Sequence, residues 1–168
     1  IWIRVAVKLI GHSINSDVSV FAADRYFSAL PLIASSNGLV YGQDLYFLGF
    51  PFGLKSDVGN VNNDFPLPLV KKGILSSMPI ANPANHFFID GHNNPGFSGG
   101  PVIFKIITTD HFRVGGIISG YRYELEDTFI NDTPTAIQTK TNTGIIIAYT
   151  VENALELIKA NPNGIQIS

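Results

Sequence analysis

Short runs of β-branched and aromatic residues, cut repeatedly by Gly, Pro, Asn and Asp, restrict this chain more than any other feature. Such runs lie near residues 1–9, 17–22, 43–50, 68–76, 86–90, 101–107, 112–120 and 144–150. Many short strands divided by turn signals predict a sandwich or a barrel. Only the end carries a helical period. In "TVENALELIKANPNG", Val151, Ala154, Leu155 and Ile158 share one helical face. Thr150 is placed to cap that helix, Glu152 suits its first turn and Lys159 its last. Asn161-Pro162-Asn163-Gly164 ends it.

Composition narrows the function classes. The chain of 168 residues is 45% hydrophobic and 14% charged, which is globular. A formal net charge of −2 without a basic block argues against a nucleic-acid partner. No apolar run reaches the length of a transmembrane segment. The lack of cysteine excludes disulfides, thiolate catalysis and cysteine-ligated zinc. The start, "IWIRVAVKLI", lacks the cleavage pattern of a signal peptide and alternates like a strand already under way.

The chemistry-bearing motif is "NNPGFSGGPVIF", residues 93–104. Ser98 stands among three glycines and between two prolines. A nucleophile elbow needs a strand before the serine and a helix after it. Here a polar turn, "DGHNNP", precedes it and the strand-like "PVIFKI" follows. The only downstream histidine, His111, has no acid before it except its neighbour Asp110. The second reading is a glycine-rich bend whose backbone N–H groups converge on an oxyanion beside a serine nucleophile. Gly96 suits backbone angles that a side chain forbids, Gly99 and Gly100 leave room for a substrate, and Pro101 opens the next strand. The bland alternative is a glycine-rich hairpin without chemistry.

"PGFSGGPVI" in full resembles the nucleophile loop of the trypsin-like serine peptidases, and within them the bacterial HtrA type. The resemblance spans nearly the whole chain in the family's order. "KLIGHSINSDVSVF" resembles the stretch that delivers the catalytic aspartate, which makes Asp17 the candidate. "GQDLYFLGFPFGL" and "LVKKGILSS" resemble the first two strands of the second barrel. "FFIDGHNNPGFSGGPVI" resembles the substrate-pocket loop and nucleophile, and "VGGIISGY" the strand that pairs with the substrate backbone. "TGIIIAYTVENALELI" resembles the last strand and the C-terminal helix.

The resemblance implies an all-β fold: a trypsin-like double β-barrel with a complete six-stranded C-terminal barrel over 37–168. Residues 1–36 would hold the last strands of the N-terminal barrel and the crossover. Two strands cannot close a barrel, so the expectation is that a preceding segment completes it and supplies the catalytic histidine. Ser98 would be the nucleophile, Asp17 the orienting acid, and the N–H groups of Gly96 and Ser98 the oxyanion hole. His92, Asn93, Ser119, Gly120 and Tyr121 would contact a protein or peptide substrate. No cofactor and no metal are implied; His86, Asp90 and His92 do not define a ligand geometry. His12, His86 and His111 read as surface, rim and exposed residues, and Asp90 as a structural carboxylate. Location is open, with a lean to the exported, periplasmic class. Phe97 departs from the family, whose members usually carry Asn or Asp there, so its ring must find a pocket. The alternative function is a catalytically silent binding module on the same fold.

Overall fold

The computed structural model describes residues 4–24, 32–62, 65–79 and 85–163. Residues 1–3 of the first expected strand, 25–31 of the expected crossover and Gly164 of the helix stop lie outside them.

Two strands, β1 (Val7–Ser13) and β2 (Val18–Ala23), form a separate antiparallel sheet in register from Val7↔Ala23 to Ser13↔Val18. β1 lies further along the chain than the sequence suggests, because pairing with β2 carries it through Gly11 and His12 to the turn. A two-residue strand, β3 (Ile33–Ala34), follows. Six longer strands come next: β4 (Asp44–Gly49), β5 (Leu69–Ser77), β6 (His86–Asp90), β7 (Pro101–Lys105), β8 (Phe112–Ile130) and β9 (Thr133–Thr150). Each pairs antiparallel with the next around a ring, β4–β5–β6–β9–β8–β7–β4. The expected six-stranded barrel is therefore closed. β3 pairs parallel with the start of β8, Ile33 opposite Arg113.

The core follows the period of two that strands impose. Burial alternates along β4, with Leu45 and Phe47 inside and Tyr46 and Leu48 between core and surface. Phe87 and Ile89 of β6, Val102 and Phe104 of β7, and Ile146 and Ala148 of β9 point inward in the same way. Space is tight where large and small residues face each other: a Cβ on Gly116 would lie 2.6 Å from the Phe87 ring.

The helix α1 (Glu152–Ala160) leans on β1 and β2, with Leu157 against Gly11, where an added Cβ would lie 3.1 Å from the Leu157 side chain. The capping expectation for Thr150 is not met. Val151 holds the cap position without a side-chain bond, and the Asn153 amide instead donates to the Thr150 carbonyl oxygen at 3.1 Å. Glu152 reaches back to the segment after β3, accepting from the Ser36 N–H at 2.7 Å. That bond ties the helix to the segment between β3 and β4.

Two features have no counterpart among the expected strands: the two-residue β3, inside the expected crossover, and a long hairpin. β8 and β9 continue past the barrel as a two-stranded arm over 121–143, paired through to Ile130↔Thr133. The turn at Asn131 and Asp132 has φ of +49° and +60°, the mirror-image turn that suits the twist of a hairpin. Leu125, Phe129, Ile130 and Ile137 on this arm are exposed.

Phe47→Ala should lower the stability of the fold by about 3–5 kcal/mol, because a fully buried ring leaves a cavity that the rigid ring of strands cannot close. A shift of the urea midpoint at constant slope checks this; an unchanged midpoint would mean that the barrel core is not close-packed at Phe47.

Candidate active site

The Ser98 loop is shaped by one buried ring. Phe97 is 0% exposed and meets Phe47 edge-on, centroids 5.2 Å apart. Its neighbours in sequence, Gly96 and Ser98, are exposed, so burial of the ring turns them outward. Gly96 has φ of +103°, and a Cβ there would lie 2.6 Å from the Phe50 carbonyl oxygen. Only glycine fits both demands. The loop is pinned to the barrel by Phe50 N–H to Gly96 O at 3.0 Å and by Gly99 N–H to Ile118 O at 2.7 Å. The N–H groups of Gly96 and Ser98 donate to no acceptor among the described residues.

Ser98 Oγ donates to the carbonyl oxygen of Ser119 at 2.8 Å. It opens on a pocket of about 440 Å³ lined by Leu48, Phe50, Pro68, Gly96 and Ser98 among others. A larger hollow of about 540 Å³, bordered by Tyr41, Asp44, Lys105 and Phe112, contains none of the candidate residues.

The other candidates divide into two groups. Ser119, Gly120 and Tyr121 lie on β8 next to Ser98, and their strand edge on the Ser98 side is unpaired among the described residues. A Cβ on Gly120 would meet nothing within 4 Å. His92 is exposed, whereas Asn93 is 2% exposed, with Oδ1 accepting from the Asn94 N–H and its carbonyl oxygen accepting from Asn142 Nδ2. Asn93 thus braces the loop from inside. Asp17 sits in the β1–β2 turn with φ of +46°, exposed and in no hydrogen bond among the described residues. Among the described residues, no hydrogen bond joins a histidine ring to Ser98 or Asp17. His12 Nδ1 is bonded to Ser19 Oγ at 2.8 Å, and the His86 ring packs edge-on against Phe88 and Tyr149.

Lys71 is a site residue that the sequence reading passed over. Its ammonium donates to the His92 carbonyl oxygen at 2.7 Å and to Asn94 Oδ1 at 2.5 Å, and lies 5.5 Å from the Phe97 ring centre. Three points of the loop are therefore held by one cation. Partial burial holds its pKa below that of an ordinary lysine. A signal was present: along β5, Leu69, Lys71, Gly73 and Leu75 form the inward series, and a cation in that series needs a partner inside.

Comparison with known proteins agrees with the geometry. A family model described as the trypsin-like peptidase domain matches residues 3–105. Among solved structures, the chain is similar to the HtrA-type protease AlgW with decapeptide, with a TM-score of 0.59 and 21% identity over 93% of this chain and 40% of that one. It is similar also to the HtrA-type protease AlgW with tripeptide, with a TM-score of 0.57 and 23% identity over 92% of this chain and 42% of that one. The chain thus spans about two fifths of the length of these structures. No curated protein matches it. Matched over more than half its length, closed into the expected barrel and presenting its serine on a glycine-rich loop, the chain belongs to the trypsin-like peptidase domain family.

Proposed function

We propose that this domain serves a serine endopeptidase in which Ser98 is the nucleophile. The observation that carries the reading is the loop: an exposed hydroxyl at a pocket mouth, beside two backbone N–H groups with no protein acceptor among the described residues. Ser98 Oγ attacks the carbonyl carbon of a peptide bond. A histidine preceding residue 1 takes the proton and returns it to the leaving amine. Asp17 holds that histidine in the required tautomer and stabilises its charged form. The Gly96 and Ser98 N–H groups receive the negative charge that develops on the carbonyl oxygen, each worth about 2.7–4 kcal/mol in such sites. The substrate chain lies along Ser119–Tyr121, with His92 at the pocket rim. Residues 1–36 belong to the first barrel and crossover, and 37–168 form the second barrel.

A silent peptide-binding module is the second reading. It is favoured by one contact: Ser98 Oγ donates to a backbone carbonyl rather than to a base. Fluorophosphonate labelling of the full-length protein separates the two. An active nucleophile is labelled and Ser98→Ala is not. An unlabelled wild-type protein, or a labelled Ser98→Ala variant, would refute the assignment of Ser98.

The acid has its own test. Full-length Asp17→Asn should fold normally and lose about 10⁴ in kcat, because the histidine tautomer is no longer enforced. A loss below tenfold with unchanged circular dichroism would place the acid elsewhere.

Lys71 acts as a positioning residue. Lys71→Met should slow labelling of Ser98 roughly tenfold, a fraction of the 10²–10³ lost with a whole oxyanion donor. Lys71→Arg, which keeps the charge and the donors, should restore most of that rate. Equal rates for all three proteins at equal thermal stability would show that the loop holds its shape without the ammonium.

A further inference from the structure

The unpaired edge of β8 does not stop at the residues beside Ser98. β7 covers β8 from Phe112 to Ile117, Gly99 and Gly100 bond to Ile118, and Ser98 Oγ reaches Ser119. From there to Ile130 that edge pairs with nothing among the described residues, while β9 covers the opposite edge. An unpaired strand edge presents N–H and C=O groups ready to bond another extended chain. These 12 residues, 119–130, span about 40 Å at 3.4 Å per residue.

The arm also carries a sorted set of side chains. Register pairs Glu124 with Thr141 and Glu126 with Thr139, which puts both carboxylates on one face of the ribbon. The bond from Thr141 Oγ1 to Glu126 Oε2 at 2.8 Å agrees with that placement. Neither carboxylate is in a salt bridge among the described residues. The other face carries Tyr123 and Leu125, with Lys140 4.5 Å from the Tyr123 ring centre.

We propose that the β8 edge of the arm takes the substrate chain as an added antiparallel strand on the N-terminal side of the cleaved bond, and that Glu124 and Glu126 select Lys or Arg at alternate positions there. The proposal rests on the peptidase reading for the position of the cleaved bond, and on continuity between the arm and the edge beside Ser98. Antiparallel pairing is the more stable arrangement, and it sends the residues before the cleaved bond outward along the arm. Directly opposed side chains on one face are close neighbours, so cations two residues apart would meet the two carboxylates while apolar residues between them meet Tyr123 and Leu125. Counting outward from Ser119 and allowing for bulges, the basic positions fall roughly five to eight residues before the cleaved bond.

The test uses the full-length protein and fluorogenic peptides sharing one sequence around the cleaved bond. One ends three residues before it. The others extend it by alternating Lys–Val, Glu–Val or Lys–Pro. The Lys–Val extension should exceed Glu–Val about tenfold in kcat/KM at low salt, and Lys–Pro, which lacks alternate amide donors, should lose most of the gain. The double variant E124Q/E126Q should bring the Lys–Val to Glu–Val ratio close to one while cleaving the short peptide at the wild-type rate. Anisotropy with labelled extended peptides and the Ser98→Ala protein should show the same order in Kd. That measurement reports on the arm even if the protein hydrolyses nothing, so a failure of the peptidase reading remains separate. A ratio unchanged by E124Q/E126Q, no preference for Lys–Val over Glu–Val in either assay, or arm-dependent dimers in sedimentation velocity without peptide discrimination would each overturn the proposal. The last result would give the edge to a second copy of the chain.

Discussion

Closure of the strand ring by β8 against β9 is the constraint on which the site depends. Without that pairing the remaining strands would form an open sheet with two bare edges. With it, Phe47, Phe87 and Phe104 are enclosed together, and the interior packs at a density that leaves side chains one arrangement. The loop between β6 and β7 must then cross the end of a filled barrel. It does so by adding its own ring, Phe97, to the core, against Phe47.

From that anchor the chemistry follows. A ring driven inward between two small residues leaves those residues exposed, and both Gly96 and Ser98 line the pocket. Here hydrophobic burial holds the bend, reinforced by a lysine from β5 that spans His92, Asn94 and the ring face. Asn142, at the base of the arm, adds a bond to the Asn93 carbonyl oxygen.

The same two strands that close the barrel also leave it. Within the ring both edges of β8 are satisfied; beyond Ile118 only the β9 side is paired among the described residues. The structure therefore grades from sealed core to open edge along one strand, and Ser98 sits at the transition. A side chain at that point has the barrel behind it and, among the described residues, unpaired backbone beside it.

Much was legible in the sequence. The six barrel strands were readable because one face of each is buried, so Phe87 and Ile89, or Ile146 and Ala148, recur every second residue. The Ser98 loop was readable because its glycines answer local backbone demands that no other residue meets, as the φ of +103° at Gly96 illustrates. The arm over 121–143 was not, because both of its faces are largely exposed and no core imposes an alternation on Tyr123, Leu125 or Ile137. Thr150 carries the right side chain for a cap, yet the neighbouring strand draws it below the surface and Asn153 turns back onto it. Lys71 reads as one of two adjacent lysines on a strand; only the meeting of β5 with the 92–97 loop gives one of them a role. The sequence by itself determined the six long barrel strands and the serine-bearing bend, since these rest on local period and local backbone preference, whereas the two-residue β3 left no pattern to read. Which cation grips the loop, which ring fills the barrel end and which strand edge stays bare were decided by tertiary structure, since each depends on segments that meet only when the ring closes.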